Sequence, residues 1–503
     1  MTVFRLLIST ANGINTEEET SLEPVKKEAK FLLRIFLHVQ CVVVVIFAYI
    51  RELLLRIGFM RKSRRKDHQS TRHFPNLYND FISLFSRNIY GAFKSEIVNK
   101  YVTTAPDRSI DIFHRRKVGN RKIMYRKDDV VNFGSYNYLG FSQNCGPCAR
   151  ESARIIRKFG LATCSSRHEL GSSPIYRELE RSFADFLGVE DSICFAMGFV
   201  TNMSNIGCLV GPKSLILSDQ FNHSSLVSGC RLTRPGVKIQ TFKHNNMIDL
   251  ENRLIEAITG GRKFDKILVC VEGIYSMEGT MAPLPKILEL KRIYKFYLYL
   301  DEAHSIGALG ANGRGVCDYF GVDPQQVDIL MGTFTKGFGS VGGYIAGRKC
   351  VIDHLRAKSP ASCYGYGLSA PCAQQVITSI KMLNGHGEYD LAESGVMSGK
   401  DRIKNLAANT RYFQNRLKSL KIPVYGHEDS PVVTVPVHFM TKIIYAYRAM
   451  LDDGVGIVVV AYPATPIMSA RIRFCLSALH TKRDLDKAID SLNAVIDVIN
   501  IRL

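Results

Sequence analysis

Residues 332–339 read Gly-Thr-Phe-Thr-Lys-Gly-Phe-Gly, which places Lys336 among hydroxyl-bearing side chains and glycines. Upstream, the apolar run 297–300 (Tyr-Leu-Tyr-Leu) is followed directly by Asp301. A lysine amine can form a Schiff base with an aldehyde, and a carboxylate can keep a pyridine nitrogen protonated so that the ring withdraws electrons. A surface lysine and an ordinary strand end would explain each feature alone. The pair in this order indicates a pyridoxal-phosphate (PLP) enzyme.

The composition is that of a globular protein with a strongly basic charge balance. Of the 503 residues, 46% are hydrophobic and 22% are charged. A chain of this length exceeds what one hydrophobic core usually serves, so two lobes are expected. The net charge of +20 favours anionic partners, such as an acidic membrane surface or a phosphate-bearing substrate. Nucleic acid is not expected, because neither zinc-finger spacing nor an RNA-binding aromatic motif occurs.

The cysteines are scattered along the chain and number 13. Cys145 and Cys148 form a CxxC pair, for which metal binding or redox chemistry has to be weighed. No second pair follows at zinc spacing and no thioredoxin-like context surrounds it, so neither role is favoured and no metal is expected. Free thiols throughout indicate a reducing compartment for the main body.

The first 130 residues are predicted to lie outside the catalytic core. Residues 1–30 are polar and are expected to be disordered. The apolar segment 31–59 is marginal in length for a transmembrane helix and suits a membrane-anchoring helix that spans the bilayer or lies along it; a buried soluble helix is the alternative. The basic residues 61–66 suit anionic headgroups and place the bulk of the protein in the cytosol. We assign 31–66 to this membrane segment and its flank, and 67–130 to an N-terminal helical or extension region.

Beyond residue 130, short apolar runs alternate with helix-like stretches, which predicts an α/β fold with a mostly parallel sheet. The predicted strands of the large domain are 192–196, 214–218, 238–242, 266–271, 297–300, 329–331 and 341–346, and its helices include 175–187, 250–258 and 284–294. After residue 381 the pattern predicts helices 400–420, 441–451 and 482–499 with strands 431–437, 455–460 and 470–476. We therefore predict a large PLP-binding domain over 131–385 and a small C-terminal α/β domain over 386–503.

Ligands of open α/β sheets bind beyond the carboxyl ends of the strands. Polar residues follow several predicted strands there, at 219–223, 272–276 and 301–305. Gly198 follows another strand and opens a predicted helix, whose N-terminal amides favour a phosphate. Thr333 and Thr335 could supply hydroxyls to the same phosphate.

Motifs along most of the chain carry a family pattern. They are residues 135–140 (SYNYLG), 166–171 (SRHELG), 218–223 (SDQFNH), 242–246 (FKHNN), 272–279 (EGIYSMEG), 301–315, 332–339, 462–466 (YPATP) and 471–477 (RIRFCLS). Together they resemble the α-oxoamine synthases, PLP enzymes of fold type I. Within that family they agree most closely with the lysine-bearing subunit 2 of the branch that condenses L-serine with palmitoyl-CoA.

The resemblance implies a role for each candidate site residue. Lys336 would form the Schiff base and then act as the base on the substrate Cα, while Asp301 would pair with the pyridinium nitrogen. His223 would stack on the cofactor ring. The resemblance assigns the ring hydroxyl to His304 and Ser276, the phosphate to Gly198, Phe199, Thr333 and Thr335, and the substrate carboxylate to Asn137 and Arg473. The family usually has serine where this chain has Gly337 and histidine where it has Tyr176.

By this resemblance the reaction is the decarboxylating condensation of L-serine with palmitoyl-CoA to 3-ketodihydrosphingosine, the first step of sphingolipid biosynthesis. The expected partners are a subunit-1 homologue that lacks the lysine, small regulatory membrane subunits and membrane lipid. The expected location is the endoplasmic reticulum membrane, with the catalytic domain facing the cytosol. Alternatives are a sister enzyme (5-aminolevulinate synthase, 8-amino-7-oxononanoate synthase or 2-amino-3-ketobutyrate CoA ligase) and a non-catalytic regulatory subunit. The apolar anchor argues against the former, and the complete set of catalytic residues against the latter.

Overall fold

The computed structural model of the chain describes residues 100–102, 108–118, 121–385, 396–438, 440–462, 464–466 and 469–501. The predicted tail 1–30, the membrane segment 31–66 and the extension up to residue 99 lie outside these residues. Within the described ranges, no helix is both long enough and apolar enough to cross a bilayer.

The elements are numbered in chain order. The strands are β1 Lys100–Val102, β2 Ser109–Val118, β3 Arg121–Asn132, β4 Asp191–Phe195, β5 Ser214–Asp219, β6 Lys238–Phe242, β7 Lys266–Glu272, β8 Tyr297–Asp301, β9 Ile329–Thr333, β10 Gly343–Gly347, β11 Val432–His438, β12 Val455–Gly456, β13 Val458–Val460 and β14 Ala470–Cys475. The α-helices are α1 Gly146–Phe159, α2 Pro174–Leu187, α3 Gly198–Leu209, α4 Ser224–Arg231, α5 Met247–Thr259, α6 Leu284–Tyr294, α7 Val316–Phe320, α8 Lys349–Lys358, α9 Pro360–Cys363, α10 Ala370–Leu383, α11 Gly399–Ser419, α12 Met440–Asp452 and α13 Lys482–Ile499.

A seven-stranded sheet in the order β4-β10-β9-β8-β7-β5-β6 forms the centre of the large domain. All neighbouring strands are parallel except β10, which is antiparallel to both β4 and β9. The prediction of a mostly parallel sheet is therefore confirmed, with one antiparallel strand making it mixed. Helices cover both faces, and for that reason β5 and β9 are buried at every residue. Because most strands are parallel, their carboxyl ends bring Asp301, Glu272 and Thr333 to one edge.

The core of the large domain lies between the sheet and its helices. Ile216, Leu268 and Ile345 of the sheet belong to one buried cluster with Ile206 of α3 and Leu226 of α4. Each such side chain contributes about 1.5–3 kcal/mol when it is fully buried. This packing fixes α3 and α4 against the strands, and both helices begin at the edge where the polar residues meet.

The described part of the predicted helical or extension region 67–130 consists of the strands β1, β2 and β3 and contains no helix. Strands β2 and β3 pair antiparallel, and β12 of the C-terminal lobe pairs parallel with β3. Ile110, Ile112 and Val130 are buried together with Leu451 of α12. The alternation of Ile110 and Ile112 places both on one face, as a strand requires.

The C-terminal lobe contains a three-stranded antiparallel sheet in the order β11-β14-β13. The predicted strand 455–460 is divided, because β12 joins β3 whereas β13 joins β14. Helix α13 begins with a capping box between Thr481 and Asp484. On β14, the Arg471 guanidinium donates to the Met277 carbonyl at 2.7 Å and to the Glu278 carboxylate at 3.2 Å, which ties this lobe to the loop after β7.

Candidate active site

Asp301 is the last residue of β8 and is buried, with both carboxylate oxygens engaged. Oδ2 accepts a hydrogen bond from Asn202 Nδ2 at 2.7 Å, and Oδ1 accepts one from the Ala303 backbone at 2.9 Å. Asn202 is fixed in turn, because its Oδ1 accepts from the Tyr299 hydroxyl at 2.8 Å. These contacts hold the carboxylate in a single orientation at the sheet edge.

Lys336 lies in the tight connection between β9 and β10. The connection is closed by backbone hydrogen bonds from Phe334 to Gly342 and from Ser340 to Phe334, of 3.0 and 2.9 Å. Burial lowers the pKa of Lys336 to about 8, although the negative charges of Asp301 and Glu272 act to raise it. A fraction of the amine is therefore neutral near physiological pH, which is the form that attacks an aldehyde.

His223 caps the N-terminus of α4 and presents an exposed imidazole. Its Nδ1 accepts a hydrogen bond from the Ser225 backbone at 3.2 Å, and its own backbone N–H donates to the Glu272 carboxylate. Desolvation lowers the pKa of His223, with Asp301 opposing that shift. The Phe199 ring lies edge-on at 6.0 Å between centroids. The imidazole is thus held at its edge and can stack through its face on a flat ring.

His304 is buried beside two tyrosines of the 135–140 motif. Its Nδ1 is hydrogen-bonded to the Tyr138 hydroxyl at 2.7 Å, and the Tyr136 ring lies edge-on at 5.1 Å. Burial holds the pKa of His304 well below its usual range, and the nearby charges of Lys336 and Arg473 lower it further. His304 is therefore neutral at physiological pH and can exchange hydrogen bonds without adding charge.

Arg473 on β14 brings a buried positive charge to the same place. Its guanidinium stacks on the Tyr136 ring at 4.9 Å, and Nη1 donates to the Ser276 carbonyl at 3.3 Å. The side chain of Lys336 contacts the same ring, with Nζ 5.5 Å from the centroid. The buried Nε of Arg473 has no hydrogen-bond partner. A buried donor left unpaired costs about 1–3 kcal/mol, so this guanidinium is suited to an anionic ligand.

Asn137 and Ser276 were both predicted as ligand contacts, and both are buried. Asn137 lies between the two tyrosines, but its Oδ1 accepts from the Ser142 backbone at 3.4 Å and its carbonyl from the Ser477 hydroxyl at 2.8 Å. Its side-chain oxygen is thus used within its own turn. The backbone carbonyl of Ser276 accepts a hydrogen bond from Arg473, and this contact connects Ser276 to the other site residues.

The predicted phosphate contacts come together at the start of α3. Helix α3 begins at Gly198, and its N-cap residue Met197 provides no side-chain cap. A Cβ on Gly198 would lie 2.6 Å from Cγ2 of Thr333, so the helix approaches β9 more closely than any larger residue allows. The hydroxyls of Thr333 and Thr335 are 3.2 Å apart. Uncapped first-turn amides beside two hydroxyls fit a phosphate group.

Gly337, where the family usually has serine, is closely packed against a neighbouring turn. A Cβ at this position would lie 2.8 Å from the Ile306 carbonyl oxygen and 3.1 Å from Gly307 Cα. The lysine connection therefore packs directly on the turn that follows the Asp301 motif. A serine here would require that turn or the connection to shift.

Some residues of the site were not assigned from the sequence, namely Asn202, Glu272, Tyr136 and Tyr138. Asn202 is a polar residue one turn into α3 and is 1% exposed, a burial that the sequence does not reveal. Tyr136 and Tyr138 lie within the motif 135–140, but the resemblance assigned no role to their rings. Glu272 ends a strand beside Asp301, with which it is paired in register.

The chain is similar to known proteins over most of its length. The family described as Aminotransferase class I and II matches residues 128–492. "Serine palmitoyltransferase 2" of Caenorhabditis elegans is 46% identical over 456 residues, covering 89% of this chain and 80% of that protein. "Serine palmitoyltransferase 3" of Homo sapiens is 39% identical over 515 residues, covering 98% of this chain and 91% of that protein.

Among solved structures, a serine palmitoyltransferase from S. paucimobilis with a bound PLP-myriocin aldimine has the same fold. Its TM-score is 0.71 at 24% sequence identity, and the match covers 84% of this chain and 98% of that chain. The chain therefore belongs to the aminotransferase class I and II family, as a PLP-dependent α-oxoamine synthase.

Proposed function

We propose that this chain is the catalytic subunit of a serine palmitoyltransferase. It condenses L-serine with palmitoyl-CoA, with loss of carbon dioxide and CoA, to give 3-ketodihydrosphingosine. The observation that carries the proposal is the convergence of Lys336, Asp301 and His223 at one sheet edge, with Arg473 reaching the same place from β14. A regulatory subunit without catalysis has no need of this set. The substrate assignment is supported by the relatives named above.

PLP, when bound, supplies an electron sink that stabilises negative charge on the Cα of an amino acid. The residues described above fit such a group. Lys336 would hold its aldehyde carbon and Asp301 its pyridine nitrogen, and the start of α3 with Thr333 and Thr335 would hold its phosphate. His223 would cover one face of the ring, while His304 and Ser276 would hold its hydroxyl.

Lys336 also moves the proton on which the reaction depends. With a pKa of about 8, its Nζ can take a proton from the substrate Cα and later return one near neutral pH. Asp301 is held by Asn202 and Ala303, so its negative charge does not have to reorient as charge develops. Arg473 binds the serine carboxylate through its unpaired Nε and releases it when this group leaves as carbon dioxide.

We propose that the enzyme works with a subunit-1 homologue, with small regulatory membrane subunits, at the endoplasmic reticulum membrane with its catalytic domain in the cytosol. The net charge of +20 and the basic run 61–66 beside the apolar segment 31–59 support this location. Both the acyl chain and the product partition into lipid, so an anchor keeps the site close to them.

The test is co-expression with a subunit-1 homologue and assay of palmitoyl-CoA with serine, glycine or alanine. We expect 3-ketodihydrosphingosine from serine, and we expect Lys336→Ala to reduce it to background because the amine that would carry the Cα proton is removed. Lys349→Ala changes an exposed lysine at the start of α8 and is expected to retain full turnover. Unchanged turnover in Lys336→Ala would exclude the mechanism, and a preference for glycine or alanine would indicate a sister enzyme.

A further inference from the structure

The Cys-Gly-Pro-Cys sequence at 145–148 forms the start of helix α1. Cys145 is the N-cap residue and Cys148 lies in the first turn, with Pro147 between them. Cys145 is exposed, whereas Cys148 is buried. The sequence alone offered no context for this pair. The structure supplies one, because an exposed and a buried thiol at a helix N-terminus are the arrangement of dithiol redox sites.

The spacing of the two thiols allows a bond between them. A Cys-X-X-Cys sequence at a helix N-terminus has the spacing at which dithiol oxidoreductases form their reversible disulfides. The Cys145 side chain makes no capping hydrogen bond and is not engaged by the helix.

Both cysteines line a surface cleft with a volume of about 320 Å³. Most of its lining is apolar, but it also includes Arg402, whose guanidinium stacks on the Phe141 ring at 4.9 Å. A small peptide thiol offers both an aliphatic part and carboxylates. A cleft of this size, with one cation, fits such a ligand.

We propose that Cys145 and Cys148 are a reversible redox site that exchanges with a low-molecular-weight disulfide of the glutathione class. The Cys145 thiolate attacks one sulfur of the oxidised ligand, forms a mixed disulfide and expels one ligand thiolate. The Cys148 thiol then gives up its proton and attacks Cys145 Sγ, which expels the second thiolate. The protein loses two thiol protons and two electrons, and one ligand disulfide becomes two thiols.

The two cysteines have different kinetic roles. Burial raises the pKa of Cys148 to about 12, although the Arg402 charge opposes the shift. Attack by Cys148 is therefore the slow step of oxidation, and in reduction Cys148 leaves slowly when Cys145 is attacked. The mixed disulfide should accumulate first, and the internal disulfide should then persist.

The site adjoins the catalytic lysine through a short path of hydrogen bonds. Phe141 lines the cleft, and its carbonyl accepts from Gln375 Nε2 at 2.7 Å. The same amide donates to the Phe338 carbonyl at 3.3 Å, in the connection that carries Lys336. Disulfides in reducing compartments are usually transient and redox-sensing. The inference does not depend on the proposed function, because its readout is the state of the thiols.

The test equilibrates the full-length protein with its partner in graded mixtures of reduced and oxidised glutathione, followed by alkylation and peptide mapping. We expect the wild-type 145–148 peptide to form an internal disulfide. In Cys148→Ser, Cys145 should carry one glutathione, and in Cys145→Ser neither product should form at Cys148.

Cys350 is the matched control, since it is exposed in the first turn of α8 without a second cysteine three positions away. It should form only a mixed disulfide, and Cys350→Ser should leave the 145–148 result unchanged. A 145–148 peptide that stays fully reduced at the most oxidising ratio would overturn the proposal. So would a Cys148→Ser protein that acquires no glutathione on Cys145.

Discussion

At the scale of single residues, the chemistry depends on how the surroundings of Lys336 set its proton affinity. Burial lowers the pKa to about 8, Asp301 and Glu272 raise it, and Arg473 lowers it. Substitutions of the charged neighbours should therefore move the pKa in opposite directions, while burial stays the same.

In the cofactor-free protein we expect Asp301→Asn to lower the pKa of Lys336 below 8, because an attractive negative charge is lost. Arg473→Met should raise it, because a repulsive positive charge is lost. The measurement is the pH dependence of arylation of Lys336 by fluorodinitrobenzene, followed by peptide mapping, since only the neutral amine reacts. An identical midpoint in all three proteins would contradict the electrostatic account.

The sequence predicted the reactive groups of the site better than the residues that hold those groups in position. Lys336, Asp301 and His223 could be identified because their functional groups suit the chemistry and follow predicted strands. Asn202 could not, because an amide on a helix has no evident purpose until β8 and its Asp301 are placed beside that helix. Roles for individual residues stay predictions, to be tested by the substitutions described here.

At the scale of elements, the approach of α3 to β9 decides whether an anion can be held. We expect Gly198→Ala to weaken PLP binding by about tenfold to a hundredfold, because the new methyl group displaces either the helix or Thr333 and overpacking costs about 1–3 kcal/mol. The measurement is a spectroscopic titration of the cofactor-free protein with PLP.

Two further variants separate this contact from a general effect of alanine. Thr333→Ser removes the Cγ2 atom that the new methyl meets and keeps the hydroxyl, so it should restore much of the affinity in the Gly198→Ala protein. Gly211→Ala adds a methyl with nothing within 4 Å and should leave the affinity unchanged. Failure of the Thr333→Ser rescue would show that the contact is not the cause.

Most helices and strands of the large domain could be predicted to within a few residues, because apolar periodicity survives in buried elements. The β2–β3 hairpin was missed because its sequence is rich in Arg and Lys, which obscures the alternation of apolar residues. The stretch 455–460 was predicted as one strand since its composition is uniform. Its division at Ile457 depends on which sheet each half can reach, and that is a tertiary effect.

At the scale of the whole molecule, the C-terminal lobe is joined to the large domain by a buried ion pair. We expect Glu278→Gln to lower the free energy of unfolding by about 3 kcal/mol, because the Arg471 charge stays buried without its counter-charge. The measurement is the midpoint of thermal unfolding. Asp353→Asn breaks the solvent-accessible pairs of this carboxylate with Lys349 and Arg356 and should change the midpoint little. Equal shifts for the two variants would contradict the argument.

The fold class could be predicted because α/β alternation and the family motifs agree, but the strand order could not. Nothing in the local sequence of β10 indicates that it is antiparallel and lies between β4 and β9. The domain boundaries and the membrane segment stay predictions. The latter falls on residues 31–66, outside the part of the chain that the structure describes.

The position of β10 also has a consequence for biogenesis. Among the described strands, β4 pairs only with β10, which the ribosome delivers much later. Closing such a distant contact is slow and must await synthesis of the later strand. A nascent polypeptide that already contains the start of α3 therefore still has β4 without its partner strand. Maturation of the large domain and its first competence to take up vitamin B6 should therefore arrive together.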